Sequence, residues 1–438
     1  MGTKDLLMGR LLGNVEKFSD KQVAETLTLL VEHGVKRSAT DIHIEPHERF
    51  VLVRYRIDGT LRGVHKLPRA ALPSMLAQLK TLARLNVQDT QIPQEGTYSI
   101  QLADGSTEVR LTTMPVFGGE KAVLHLAQER GDPVPLTDLG FWGNGLKALK
   151  SVLTNPHGLV LVSGPRHSGV SSTLFSLLKD TNSPLLNVAT VESGTKHRLP
   201  GVNHTYLSGG MTTQEGLEAA LKQDANVLLL DKLPDGPTAE LAVHAAATGH
   251  LVLAGLHATS SIAALLHLRH GGVQPYQLVT SLRASVGQRL VRRLCPDCRE
   301  RYALDPEEHQ QLEEAFGIHT AQAFKRINDL EKAAAPVIFG DVRQLNSAPT
   351  HISHLWRPSE TGCDTCEHTG YTGRTAIVEV LTSTEGLHKA LLSKDVLSAG
   401  TVQSMVVKDG FIPMALDGIV KALRGHTTIA EVLRALAS

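Results

Sequence analysis

The sequence predicts an α/β protein: a parallel-sheet core preceded by an α+β N-terminal domain, with a tetracysteine subdomain and a helical C-terminal end. Three observations carry this reading. From residue 136 onward, nearly continuous apolar runs alternate with helical patterns: Leu159-Val-Leu-Val162, Leu186-Asn-Val-Ala-Thr-Val191, Val227-Leu-Leu-Leu230 and Leu251-Val-Leu-Ala254. Such runs are the texture of strands buried on both faces of a parallel sheet. Before residue 135, helical spacing mixes instead with strict alternation. Finally, the chain's four cysteines fall into two C-x-x-C pairs, Cys295/Cys298 and Cys363/Cys366.

Taken in order, residues 21–35 place Val23, Leu27, Leu30 and Val31 at helical spacing. Ile42–Ile44 and Phe50–Ile57 alternate as strands, and Asp58-Gly59 then supplies a hairpin turn. A helix is expected over 70–86, with strands over 97–102 and 107–113. This α+β domain, residues 1–135, closes near the Pro-rich Asp132-Pro-Val-Pro135. The core is assigned to 136–290, the cysteine subdomain to 291–382 and the helical end to 383–438. Residues 303–362, polar and with the short Ala333-Ala-Ala335 run, are read as an irregular insertion between the cysteine pairs. No repeats or long low-complexity tracts occur.

Bulk properties narrow the function classes. At 438 residues the chain accommodates two to three domains with sizeable cores. Lys+Arg and Asp+Glu balance at 44 each, which excludes the strongly basic character of a nucleic-acid binder or polybasic anchor. The apolar runs fall far short of the roughly 18 residues of a spanning helix. The first twenty residues lack the apolar stretch of a signal peptide. A cytoplasmic protein is expected, with any membrane association running through partners.

Two C-x-x-C knuckles suit one tetrahedral Zn²⁺, since each presents two thiolates to a single ion. With Cys295, Cys298, Cys363 and Cys366 as ligands, the ion would close the long loop formed by residues 299–362. Spacing alone leaves open two unrelated redox or buried pairs. A disulfide framework is disfavoured in a large chain without an export signal.

The segment after the first core strand reads Gly164-Pro165-Arg166-His167-Ser168-Gly169-Val170-Ser171-Ser172. Strand, glycine loop and helix is the setting of a phosphate-binding loop, and G-x-x-x-x-G-K-[ST] is met at Gly164, Gly169 and Ser171. It fails at the lysine, where Val170 stands. The amides after Gly169 still offer an anion nest at a helix N-terminus. The mobile ammonium is missing.

The surrounding motifs decide the reading. Ser38-Ala-Thr-Asp-Ile-His-Ile-Glu-Pro46 with Val53-Arg-Tyr-Arg-Ile-Asp-Gly59 resembles a signature of the type II secretion and type IV pilus assembly ATPases. Pro93-Gln-Glu-Gly96, Val109–Pro115 with Gly119-Glu-Lys121, and Thr248-Gly-His250…Leu256-His257 resemble further blocks in the same order. So do Gln288–Cys298, Gly362–Arg374, Val378-Glu-Val380, Lys408-Asp-Gly410 and Gly425-His-Thr-Thr428…Glu431-Val432. The resemblance runs from about residue 20 to the C-terminus and is to the extension branch, since retraction relatives usually lack the four cysteines.

This resemblance implies a RecA-like P-loop core, ATP on residues 164–172 and Mg²⁺ near Ser171 and Asp231. Phosphate-facing roles would fall to Glu192, Arg110 and His257, the last either a γ-phosphate sensor or a structural strand-end residue. His250 carries a weaker suggestion of a role. Homo-hexamers, or mixed rings with an active paralogue, are implied as well, with Arg54 and Arg56 as candidate intersubunit contacts or simply a solvated strand face. Asp41 and Glu45 are read as turn and salt-bridge residues. A pilus or secretion platform at the inner membrane is the implied partner. The extra leading domain that docks many relatives to that platform is not expected here.

The departures from the family pattern gather at the phosphates. The family's Gly-Glu-Ile-Arg-Asp reads Asp231-Lys232-Leu233-Pro234-Asp235, which reverses the charge of the glutamate acting on magnesium-bound water. Its Thr-Ile-Glu-Asp-Pro-x-Glu box reads Thr190-Val-Glu192-Ser193-Gly-Thr-Lys196, and one of two cleft arginines is Thr97 while Arg110 remains. Lys232, Lys196, Arg166 and His167 offer replacement charge for phosphate binding. The expectation is a pseudo-ATPase subunit or regulator that retains nucleotide binding. The alternatives are a working ATPase and a zinc-dependent scaffold that binds no nucleotide.

Overall fold

The computed structural model describes residues 20–102, 105–127, 132–194, 197–207, 210–334, 345–393 and 398–437. It divides into two compact units, Met1–Gly131 and Asp132–Ser438. Lys196, and the end of the alanine run at Ala335, lie outside the described residues.

In the first unit, helix α1 (Asp20–Lys36) precedes strands β1 (Asp41–Pro46), β2 (Phe50–Ile57) and β3 (Thr60–Pro68). Helix α2 (Leu72–Leu82) is followed by β4 (Gln94–Leu102), β5 (Gly105–Val116) and β6 (Gly119–Ala127). The strands form one sheet in the order β3-β2-β1-β6-β5-β4, antiparallel at every step. The Asp58-Gly59 turn has both residues in the left-handed region, φ 50° and 82°, as a two-residue hairpin turn requires. Alternation places Ile42, Ile44, Val51, Val53, Tyr55, Val109, Leu111 and Leu124 on one buried face with Val23, Leu27, Leu30 and Val31 of α1. Helix α2 is shorter than the expected 70–86. It starts after a 3₁₀ turn, Arg69–Ala71, and the chain reverses at Arg84, whose φ is 57°.

The opposite face carries charge. Glu45 accepts two 2.7 Å bonds from Arg54 and lies 2.7 Å from the Lys121 ammonium. Burial raises its pKa, but these cations more than offset that and hold it at about 2. Asp41 meets His125 Nδ1 at 2.7 Å and Arg56 at 3.3 Å.

The second unit opens with helices α3 (Leu136–Leu139) and α4 (Gly143–Leu153), then β7 (Gly158–Ser163), α5 (Val170–Thr181), β8 (Val188–Glu192) and β9 (Val202–Tyr206). Next come α6 (Thr213–Lys222), β10 (Val227–Leu230), α7 (Gly236–Ala247), β11 (Leu251–Leu256), α8 (Ser261–His270) and α9 (Pro275–Ser281). Strand β12 (Leu282–Leu294) leads to β13 (Glu300–Ala303), α10 (Pro306–Phe316), α11 (Ala321–Ala334), β14 (His354–Arg357) and β15 (Tyr371–Thr382). Helices α12 (Glu385–Leu392), α13 (Ala399–Val406), α14 (Met414–Leu423) and α15 (Ile429–Leu436) end the chain.

The central sheet has the order β15-β12-β7-β11-β10-β8-β9, parallel except for the antiparallel β12–β15 pair. Both faces are covered. Leu159, Leu161, Leu228, Leu230, Val252 and Ala254 pack with α6, α7 and α8. Their alternates Val160, Val162, Leu229 and Leu253 pack with α4 and α5. That arrangement explains the unbroken apolar runs. The expected divide after residue 290 falls inside β12.

The described residues of 303–362 are not the irregular insertion expected. They hold two helices, α10 closed by an Asp305/Glu308 capping box and by Gly317 at φ 64°. Leu312 is the one fully buried residue of α10, a stripe too narrow for apolar periodicity to reveal. Phe324 and Ile327 of α11 join it against Ile419 and Leu423 of α14.

A buried polar knot ties α4 and α14 to the sheet. Asp417 accepts from Trp142 Nε1, from the Val378 amide at 2.7 Å and from Lys421 Nζ at 2.7 Å, with both charged side chains almost wholly buried. Asp417→Ala strands the Lys421 charge, so it is expected to cost about 3–5 kcal/mol. Urea melting followed by far-UV circular dichroism checks this.

Candidate functional site

Strand β12 delivers the first cysteine pair and β15 receives the second. Leu294 pairs with Tyr371, and the Cys295 amide donates to Gly370 O at 2.9 Å. The four Sγ atoms lie within 4.8 Å of one another. Cys295–Cys363 and Cys298–Cys366 are each 3.7 Å apart, and Cys363–Cys366 is 3.8 Å. Tetrahedral Zn–S bonds of about 2.3 Å put neighbouring sulfurs about 3.8 Å apart, so the residues fit one zinc ion in a closed S₄ site. Burial raises the Cys366 thiol, but the Cys363 and Gly370 amides, each 3.2 Å from Sγ, more than offset it and bring its pKa to about 6. Cys298 is pushed up to about 12 by burial and the neighbouring thiols.

The glycine loop joins β7 to α5. Gly169, at φ 89°, is the N-cap of α5, a conformation that a side chain would strain. At Gly164 a Cβ would stand 2.2 Å from Ser168 Oγ and 2.7 Å from Gln288 O. His167 takes φ 66°, the left-handed region that glycine fills more easily. The loop is braced from β12. Gln288, 1% exposed, donates from Nε2 to Ser168 O at 2.8 Å and accepts from Thr173 Oγ1 at 2.8 Å. His257 Nδ1 lies 3.4 Å from Gly164 O. Ser168 Oγ is buried without a hydrogen-bond partner. Pro165, Val170, Ser171 and Ser172 are half-buried, while Arg166 and His167 are exposed.

Two further predicted residues end neighbouring strands. Glu192, fully buried at the end of β8, accepts from Thr190 Oγ1 at 2.5 Å and lies 2.8 Å from His204 Nδ1. The Leu199 amide donates to His204 Nε2 at 3.1 Å, so the proton sits on Nδ1 and points at Glu192. Asp231 follows β10, and its Oδ2 accepts from the Ser193 amide at 2.9 Å and hydroxyl at 2.5 Å. Glu192 Oε2 and Asp231 Oδ1 are buried without partners. Lys232 is exposed. Asp235 caps α7 through the Thr238 amide at 2.9 Å, and His250 holds Ala225 O at 2.7 Å; both contacts are structural.

The loop, Glu192, Asp231 and His257 thus gather at the C-terminal ends of parallel strands, where open α/β sheets bind ligands. Arg110 belongs to the first unit, exposed 3.4 Å from Glu95 and opposite Thr97 in the ladder. Arg54 and Arg56 of that unit are engaged by Glu45 and Asp41. Sequence reasoning missed Gln288, His204 and the Ser193–Asp231 bond. Gln288 opens the Gln288–Cys298 motif, but its hold on the loop depends on β12 lying beside β7.

Fold and loop define a P-loop α/β protein with an α+β N-terminal domain and a tetracysteine subdomain. The chain belongs to the Type II/IV secretion system protein family, which it matches over residues 16–434. It is 33% identical over 417 residues to the type II secretion system protein E of Aeromonas hydrophila, covering 95% of this chain and 76% of that one. It is also 33% identical to the type IV pilus assembly ATPase PilB of Thermus thermophilus, over 92% of this chain and 42% of that one. In fold it is similar to the ATPase DotB of Legionella pneumophila, with TM-score 0.64, 15% identity and 98% of both chains covered. The pilus retraction motor PilT with bound ADP is similar as well, with TM-score 0.57, 16% identity and coverage of 93% and 96%.

Protein purified without added metal is expected to carry about one zinc per chain by elemental analysis. Cys363→Ser should lose the ion and lower the melting temperature, and a metal-free, fully folded wild-type chain would refute the assignment.

Proposed function

We propose that this chain is a ring subunit of a secretion or pilus motor that binds ATP and turns it over weakly or not at all. The observation that supports it is a preserved anion cradle without its catalytic charges. Gly164, Gly169 and the start of α5 keep the geometry that holds phosphates. Val170 brings no ammonium, and Lys232 stands where the family has a glutamate. Phosphoryl transfer depends on positioning and electrostatics. Losing one preorganised stabilising group commonly slows such chemistry roughly 10²–10³-fold, and a cation cannot organise magnesium and water as a carboxylate does.

The protein's work is then structural or regulatory. It completes or modulates a hexameric ring, alone or mixed with an active paralogue, at a pilus or secretion platform on the cytoplasmic side of the inner membrane. Among the described residues no helix is long and apolar enough to cross a membrane, so partners would provide the attachment. In this reading, Ser171 and Asp231 are the groups toward a magnesium ion, with Glu192 and His257 beside them.

Magnesium-dependent ATP hydrolysis by the purified chain is expected at background, while ATP still binds by calorimetry. Val170→Lys should raise affinity more than rate, and recovery of turnover should require Lys232→Glu as well. Clear hydrolysis by the wild-type chain, abolished by Ser171→Ala, would overturn the proposal.

Assembly gives a separate check. Light scattering at micromolar concentration, alone and with an active paralogue, is expected to show hexamer-sized particles. A monomer in both cases, unchanged by ATP, would favour a free scaffold.

A further inference from the structure

The residues after β10 are placed by the sheet. The Leu233 amide donates to Gly255 O at 2.8 Å, and a Cβ on Gly255 would stand 2.3 Å from Asp231 O. The 231–233 backbone therefore lies directly against the end of β11. One step further along, the Gly164 amide donates to Leu256 O at 3.2 Å, which ties the base of the glycine loop to that same strand end. Lys232 and the loop are thus separated by β11 alone, about 10 Å across two strand spacings.

Side-chain directions follow from burial. Leu233 is buried in the core at 4% exposure, while Lys232 before it is exposed. The neighbouring carboxylate makes no ion pair with it: Asp231 Oδ2 accepts from the Ser193 amide and hydroxyl. Among the described residues, no hydrogen bond or ion pair engages Lys232, and the same holds for Arg166 on the loop. One uncommitted cation therefore sits on the loop itself and another follows β10, two strand positions away. A second observation points to a ligand at that end. Ser168 Oγ, on a residue 4% exposed, has no hydrogen-bond partner and faces Gly164 across the loop. A buried hydroxyl without a partner calls for an explanation, and a ligand on the loop supplies one for Ser168.

We propose that Lys232 is the phosphate-binding cation of this chain, supplied from the end of β10 to a nucleoside di- or triphosphate seated on the Gly164–Ser172 loop, in place of the ammonium that Val170 lacks. The assignment rests on the nucleotide-binding reading above and adds the residue that makes it work. An ammonium on a flexible four-carbon stem serves as a point charge and needs no fixed fork geometry, so it can approach a polyphosphate from the neighbouring strand. The arrangement favours binding over turnover, because the cation occupies the strand end from which a carboxylate would otherwise order the attacking water.

Calorimetric titration of the full, zinc-loaded chain with ATP, ADP and pyrophosphate in the presence of magnesium tests this. Lys232→Ala should weaken all three by roughly ten- to a hundredfold, the usual range for one lost charged hydrogen bond, with unchanged zinc content and melting temperature. Lys232→Arg should keep most of the affinity. Adding Val170→Lys to Lys232→Ala should restore binding, since one cation then stands in for the other. Wild-type binding that Lys232→Ala leaves untouched would overturn the role of Lys232 and leave the nucleotide-binding reading standing. A wild-type chain that binds neither ATP nor pyrophosphate would overturn both.

Discussion

The antiparallel ladder between β12 and β15 is the constraint from which the second unit is built. Its register runs from Ala284↔Thr382 to Leu294↔Tyr371. At one end β12 passes beside β7, where Gln288 grips the glycine loop. At the other they bring Cys295 and Cys298 to Cys363 and Cys366. Because β12 pairs with β7 on one edge and β15 on the other, a slip of one residue would turn Gln288 away from the loop. The same slip would misalign the sulfurs. One pairing therefore serves both candidate sites, and the long insertion between the cysteines is a loop closed by it.

The loop itself shows how backbone and charge separate as contributions. Its shape rests on groups that carry no net charge: Gly164 packed against Ser168, Gly169 in the left-handed region, and the Gln288 amide bonded on both sides. An anion cradle of this kind depends on oriented amides and the helix dipole. Val170, on the first turn of α5, takes no side-chain part in the hydrogen bonds that hold the loop's shape. The exposed cations nearby, Arg166 on the loop and Lys232 after β10, lie outside that frame.

Several buried charged groups elsewhere are bonded within their own unit. Lys80 meets Glu120 and Asp89 O in the first unit. Glu331 accepts from the Asn346 and Ser347 amides in the second. Such pairs add little net stability but penalise any arrangement that leaves one partner alone. They fix α2 against its sheet, and α11 against the Asn346–Ser347 segment. Three oxygens without partners, on Ser168, Glu192 and Asp231, lie at the C-terminal ends of β7, β8 and β10, the candidate ligand end of the sheet.

The sequence by itself determined the parallel core, the α+β domain before it, the helical end, the glycine loop with its missing lysine and the identity of the four cysteines. These are local properties. Apolar runs, a left-handed Asp-Gly turn and a C-x-x-C spacing are written within a few residues, so neighbours along the chain suffice to read them. The tertiary structure alone decided that 303–362 contains two helices, because α10 buries only Leu312 and its stripe appears when α14 lies against it. It also decided that β12 crosses the expected boundary at 290 and that Gln288 braces the loop. Likewise, it revealed that Ser193 occupies Asp231 and that His204 orients toward Glu192. Each of these is a contact between residues distant in sequence or lying on different strands, where sheet order sets the partner and no local pattern encodes it.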